Sequence, residues 1–294
     1  MLSVKEVHDK VLYPVVRVRS GNAGGSGVII YSQPDPKDEN RYINIALTCQ
    51  HVVDGAIKIR DEFDPVLKQQ RKTDYFEEVT VEVFDYDGSN LISSNATQAE
   101  IIAYDKHHDI AAVRLRNHKK VDYVSQVIPK DEIPNIQIWE PAITCGCSLL
   151  HDPFANEGKL TYLREIIEQK SYLMANAPSI FGNSGGGLFH GDTGYLLGLT
   201  SRVTVTQLGF GLDVQTWMNF STHPDRLYEF FEHQELQFIY EPDDDYWSAM
   251  ERRETKRKHA LRSVLFEEPS INPSILDTSV LEEGQMYLKT DKVR

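Results

Sequence analysis

Residues 182–188 read Gly-Asn-Ser-Gly-Gly-Gly-Leu. Glycines on both sides of Ser184 allow a tight turn that lifts the hydroxyl clear of the chain and turns backbone N–H groups toward one point. A serine hydroxyl is a poor nucleophile by itself. It needs a base to take its proton and a third group to orient that base. The rest of the chain must therefore supply a histidine and a carboxylate in suitable settings.

His51 ends Leu-Thr-Cys-Gln-His at 47–51, after the apolar run Ile45–Leu47. An imidazole at a strand end reaches a cleft while its branched neighbours anchor the backbone. Its neutral ring can accept the Ser184 proton and later donate it to a leaving amine. Taken alone, it reads more readily as a hydrogen-bonded core histidine. Asp109 opens Asp-Ile-Ala-Ala-Val-Arg-Leu after His107 and His108. Facing His51, it would set the tautomer and stabilise the imidazolium; taken alone, it is a turn residue. The N–H groups of Gly182 and Ser184 are candidate donors to the negative charge that develops on an attacked carbonyl oxygen.

Composition narrows the function classes. A formal charge of -13 over 294 residues disfavours general nucleic-acid binding, because phosphates and an acidic surface repel. Cys49, Cys145 and Cys147 form neither a disulfide framework nor a Cys-x-x-Cys pair, which points to buried thiols in a reducing compartment. No secretory leader or membrane-length apolar run is present, so a cytoplasmic location without membrane association is expected. Gly24, Gly25 and Gly27 lack the lysine of a phosphate loop, and no metal or organic cofactor is expected.

Short branched apolar runs recur through the first two hundred residues, among them Val11–Val18, Gly27–Tyr31, Val79–Phe84, Ile110–Leu115 and Tyr195–Val203. Separated by polar turns and without βαβ alternation, they suggest paired β-barrels or a sandwich. Gln33–Arg41 and Glu62–Glu78 read as loops, the second with some helix. Trp217–Tyr240 holds two helical stretches around Pro224. Trp247–Leu265 reads as a charged helix capped by Asp244 or Asp245. The segment beyond Pro269 reads as an arm or tail.

Together these segments resemble the chymotrypsin-like (trypsin-like) serine proteases of the HtrA/DegP kind. The order His51, Asp109, Ser184 matches, as do Gly-Ser-Gly-Val-Ile at 25–29, Thr-Cys-Gln-His-Val-Val at 48–53, Asp-Ile-Ala-Ala-Val at 109–113 and Gly-Tyr-Leu-Leu-Gly-Leu at 194–199. The resemblance covers roughly residues 10–220. It implies an all-β fold, a chymotrypsin-like double six-stranded β-barrel with a mainly helical C-terminal extension. The protease domain would span 1–216, divided between barrels near 118–140, and the extension 217–294. No PDZ domain is recognisable.

The implied activity is that of a serine endopeptidase cleaving protein or peptide substrates through an acyl-enzyme. His51, Asp109 and Ser184 would be catalytic, with Gly182 and Ser184 forming the oxyanion hole. The alternative is a catalytically idle or autoinhibited protease fold that binds peptides. Pro178 stands six residues before Ser184, where trypsin-type enzymes carry an acidic selector. Small or medium apolar side chains before the scissile bond are therefore expected. Thr200, Ser201, Arg202 and Val203 would form a second pocket wall, and Gly211 and Asp213 a third. The Ser201–Val203 backbone is a candidate strand-pairing edge for substrate, and Arg202 reads either as an acid-binding or as a solvated residue. Gly186–Gly187 replaces the family's glycine-proline, which should loosen the turn. Trp217, Phe220, Leu227, Tyr228, Phe230 and Phe231 should pack a terminal helix on the second barrel, while Arg252–Lys258 forms a solvated face. The resemblance allows a homotrimer, and the arm beyond Pro269 is a candidate regulator of the groove.

Overall fold

The computed structural model describes residues 1–21, 23–65, 68–208 and 210–266. Ser3 and Glu6 exchange hydrogen bonds in a capping box that opens α1 (Val4–Val7), and a π-helical turn continues it over His8–Leu12. Val11 and Leu12 are thus helical, and the first strand, β1 (Val15–Ser20), begins later than the apolar run suggests. It is followed by β2 (Ala23–Asp35), β3 (Asp38–Thr48), α2 (Gln50–Val53), β4 (Ile57–Asp64), β5 (Gln69–Phe76), β6 (Val79–Asp87), β7 (Asn90–Asp105) and β8 (Ile110–Leu115).

Six of these strands pair antiparallel in the order β1-β2-β3-β8-β7-β6, and β6 returns to β1 through pairs such as Val18 with Val81. Gln33–Arg41 is the tip of the β2–β3 hairpin rather than a loop. Glu62–Glu78 holds most of a two-stranded β4–β5 ribbon instead of loop and helix. Its strands are mostly polar and exposed on both faces; Ile57, Ile59 and Phe63 alternate along β4, but β5 lacks the one-sided alternation that marks a half-buried strand.

The second unit comprises β9 (Pro141–Gly146), β10 (Phe154–Ile167), β11 (Lys170–Ala175), β12 (Gly187–His190), β13 (Leu196–Leu208) and β14 (Gly211–Thr222). Its strand order, β10-β11-β14-β13-β12-β9, also returns to its start. It is not one continuous sheet. β10 pairs with β9 over Phe154–Lys159 and with β11 from Leu160 onward. β13 pairs with β12 over Leu196–Leu199 and with β14 from Thr200 onward. Register shifts at Leu160/Tyr162 and Thr200/Arg202 mark bends at these changes of partner. The expected all-β, double six-stranded barrel is therefore corrected in its construction: both strand orders return to their start, but the second does so without forming one continuous sheet. The second unit consists of two four-stranded sheets sharing β10 and β13, and the β4–β5 ribbon stands outside both units.

Residue 217 lies inside β14, so the helical extension starts after Thr222. His223 caps α3 (Pro224–His233), its Nδ1 accepting the Asp225 N–H at 3.2 Å. Asp245 caps α4 (Tyr246–Phe266) by accepting the N–H groups of Trp247 and Ser248. Leu227, Tyr228, Phe230 and Phe231 are buried, but they join the core cluster built mainly on the first unit. Phe238 meets Tyr31 edge-on at 5.0 Å, Trp247 Nε1 donates to Asp35, and Arg253 donates to the Ile102 carbonyl. α4 and the segment before it therefore pack on the first unit, whereas α3 bridges the two: Arg226 donates to the Ser171 carbonyl of β11 as well as to the His108 carbonyl, and Asp225 pairs with Arg164 of β10. Trp217 takes no part in that packing and is 57% exposed. A smaller core, including Ile128, Leu160, Leu173, Leu188 and Leu197, fills the second unit. Among the described residues no helix is long and apolar enough to cross a membrane. The arm beyond Pro269 lies outside the described residues.

Candidate active site

β3 delivers the chain to α2, whose Val52 and Val53 are buried while His51 faces outward. Asp109 occupies the turn before β8 in a left-handed conformation, φ +56°, which aspartate tolerates better than most residues. His51 Nδ1 lies 3.0 and 2.9 Å from the two Asp109 carboxylate oxygens. An ionised carboxylate only accepts, so Nδ1 carries the hydrogen and Nε2 keeps its lone pair. Asp109 also accepts the His51 backbone N–H at 3.0 Å and the Ser201 hydroxyl at 2.7 Å. Burial pushes its carboxyl up, but hydrogen bonds from His51 and Ser201 outweigh burial and hold it below the usual carboxylate range.

Cys49 shares this neighbourhood: its sulfur, a His51 nitrogen and an Asp109 oxygen lie within 4.8 Å of one another. Cys49 is fully buried and its Sγ donates to the Thr200 carbonyl at 3.4 Å. Burial first, and the Asp109 charge second, push its thiol well above the ordinary range. A protonated, inaccessible thiol is neither nucleophile nor ready metal ligand.

The serine turn is braced from several directions. The Phe181 carbonyl accepts the Leu149 N–H at 2.7 Å. Carbonyl and N–H of one trans peptide point opposite ways, so this bond aims the Gly182 N–H away from Leu149. Gly182 has φ +94°, and a Cβ there would lie 2.5 Å from the Leu149 nitrogen. Gly185 is equally constrained, with φ +85° and 2.2 Å from a built Cβ to the Ser26 carbonyl. Among the described residues, neither the Gly182 nor the Ser184 N–H donates to a protein acceptor. No hydrogen bond joins Ser184 Oγ to His51. Asn183 is buried, accepting from Ser148 Oγ and donating to Ser179 Oγ, both at 3.0 Å. Gly186 donates to the Asn183 carbonyl and Gly187 opens β12, so both replacement glycines sit in bonded backbone.

Ser26 was not singled out by its sequence context. Its backbone N–H donates to the Ser184 carbonyl at 2.8 Å, and its hydroxyl donates to the Gly182 carbonyl at 2.8 Å while accepting the Cys147 N–H at 2.7 Å. One residue of the first unit thus ties both carbonyls flanking Asn183 to the loop after β9. Arg17 adds to this brace by donating to the Leu150 carbonyl at 2.9 Å. The Gly-Ser-Gly-Val-Ile motif was the available signal, but it marks a strand and says nothing of its distant partners.

The expected pocket residues separate into two groups. Pro178 is exposed, and its carbonyl accepts from Thr144 and Asn156 at 3.0 Å. The Thr200 carbonyl accepts the Gly185 N–H, and Ser201 reaches Asp109, so both belong to the site. Arg202 is paired with Glu168 and lies over Tyr172, which leaves neither the acid-binding nor the freely solvated description apt. Val203 pairs with Asn219 on β14. Gly211 and Asp213 do not join the group. They pair with Leu208 and Thr206 toward the hairpin tip, on the order of 20 Å along the strand from Thr200 at about 3.3 Å per residue. The Asp213 carboxylate accepts from Gln215 there.

Comparison with known families agrees with this arrangement. A trypsin-like peptidase domain model matches residues 25–199, more than half of the chain, and the chain belongs to that family. It is a protease-fold domain related to the HtrA-type serine endopeptidases. Among solved structures, a serine endoprotease from Yersinia pestis aligns with a TM-score of 0.50 and 16% identity, covering 79% of this chain and 66% of its own. The HtrA-type protease AlgW, in a variant form with a tripeptide, aligns with a TM-score of 0.54 and 15% identity, covering 82% and 65%. The chain thus spans just under two thirds of the length of either structure. Comparison with curated proteins finds no match.

Proposed function

We propose that the chain is a serine endopeptidase. The His51–Asp109 contact carries this reading: it leaves Nε2 of the imidazole as an acceptor in a site shared with the Ser184 turn. Ser184 Oγ would attack the peptide carbonyl as its proton passes to His51 Nε2. The Asp109 carboxylate stabilises the imidazolium, and the Gly182 and Ser184 N–H groups receive the oxyanion. Collapse expels the amine with the proton from His51 and leaves an acyl-enzyme, which water hydrolyses by the same route. Past Thr200, β13 pairs with β14 alone among the described residues, leaving one edge for an extended peptide. Pro178 at the expected selector position supports a small or medium apolar side chain before the scissile bond.

The missing Ser184–His51 hydrogen bond favours one alternative, a resting or idle site that binds peptides without cleaving them. A fluorophosphonate probe followed by peptide mapping separates the two. Labelling of Ser184 that is lost in a folded His51→Ala variant is the expected result. An unlabelled Ser184, with no cleavage across a diverse peptide library, would reject the enzyme reading.

A further inference from the structure

The turn between β7 and β8 carries more than Asp109. Asp105 ends β7, His107 and His108 follow, and α3 brings Glu229 and His233 alongside. One carboxylate oxygen of Asp105 and one ring nitrogen each of His108 and His233 lie within 4.8 Å of one another. Glu229, one helical turn before His233, places Oε2 3.7 Å from His108 Nε2. His108 is only 6% exposed, and its buried Nδ1 has no hydrogen-bond partner. A buried imidazole left unpaired carries a desolvation cost that a bound ligand would remove. Asp105 Oδ1 accepts the His108 N–H at 2.9 Å, which shapes the turn and leaves the second carboxylate oxygen for another partner. Arg226 donates to the His108 carbonyl, and the carboxylates of Asp105 and Glu229 offset its charge.

We propose that Asp105, His108 and His233 bind a transition-metal cation of the zinc class, with water as fourth donor. Two imidazoles with carboxylate oxygen form the mixed donor set that such cations take. Bonds of about 2.1 Å in a tetrahedron put donors about 3.4 Å apart, so the cluster closes by at most about 1.4 Å on binding. His233, exposed at the end of α3, supplies the movement. The ion joins α3 to the turn whose next residue is Asp109, and so holds the carboxylate that orients His51. It shares no ligand with the Cys49–His51–Asp109 neighbourhood. Binding is therefore measurable whether or not the protein cleaves peptides.

The test is calorimetric titration of the chelator-treated full chain with Zn²⁺, with Co²⁺ absorption reporting coordination geometry. One equivalent is expected, with tetrahedral cobalt bands. His233→Ala and Asp105→Asn should each weaken binding by more than about 10-fold, the lower end of the effect of losing even an outer partner; His51→Ala should leave it unchanged. His233 is exposed and Asp105→Asn keeps an oxygen for the His108 N–H, so both variants should fold, as circular dichroism will verify. If His233→Ala unfolds, His233→Gln is read in its place. Absence of binding to the wild-type chain overturns the proposal. So does binding that survives both substitutions, or binding lost only in His51→Ala.

Discussion

Replacing Ser26 by alanine removes one oxygen and strands two backbone groups. The Cys147 N–H loses its acceptor and the Gly182 carbonyl its donor, while the Ser26 N–H still reaches the Ser184 carbonyl. A buried polar group left unpaired costs about 1–3 kcal/mol. The two together therefore cost about 2–6 kcal/mol, toward the lower end if water reaches Gly182, which is only partly buried. The change in side-chain volume is small and adds little. Activity should fall further than stability suggests, because the stranded carbonyl belongs to the turn carrying Ser184. A displacement of about 1 Å at a reacting group costs on the order of 100-fold in rate. Chemical denaturation gives the first quantity and the rate of fluorophosphonate labelling at Ser184 gives the second. An unfolding free energy within about 0.5 kcal/mol of wild type, together with unchanged labelling, would refute the assignment of Ser26 as the brace of the serine turn.

Four further outcomes are expected. Asp109→Asn should lower peptide turnover by about 10⁴-fold, because an amide admits the wrong His51 tautomer; turnover within tenfold of wild type on a cleavable peptide would count against the His51–Asp109 assignment. Gly182→Ala should abolish labelling in a folded protein, since the added methyl meets the Leu149 nitrogen at a positive φ. Arg226→Met should destabilise the chain by about 2–4 kcal/mol, as its 3%-exposed guanidinium bridges the Ser171 and His108 carbonyls; equal melting temperatures would exclude this. Burial drives the His223 pKa down from 6.5 to about 4, and its Nδ1 accepts a helix-cap hydrogen bond that needs the neutral ring. The unfolded chain then binds the extra proton between those values, so stability should fall as the pH drops from about 6.5 to about 4, by at most about 3 kcal/mol. His223→Asn should flatten that part of the pH–stability curve.

The chemistry of the site was more legible than its support. His51, Asp109 and Ser184 stand in segments whose glycines and apolar flanks announce their settings, and the His51–Asp109 contact follows the expected pairing. Ser26 escaped notice because its three bonds reach residues 121 to 158 positions away, and no local pattern records them. The Glu62–Glu78 part of the ribbon was read as a loop because β5 presents no alternating apolar face. The terminal helices were legible as helices from their caps and aromatic faces. Their destination was not, since a buried aromatic face fits either unit until Tyr31 and Asp35 supply its partners. Gly211 and Asp213 were placed by analogy of spacing, and the length of the β13–β14 hairpin carries them away.

The return of α4 to the first unit has a consequence for biosynthesis. Asp35 and Trp247, which meet in the finished protein, are 212 residues apart in the chain. At about 5–20 residues per second, roughly 10–40 s separate their emergence from a ribosome. During that interval Tyr31 and its neighbours have no aromatic cover. The first half of the protein therefore waits, apolar side chains uncovered, for α4 to be made. A nascent chain stalled with Phe238 still inside the ribosome should be a stronger chaperone client than one stalled after Ala249 has emerged.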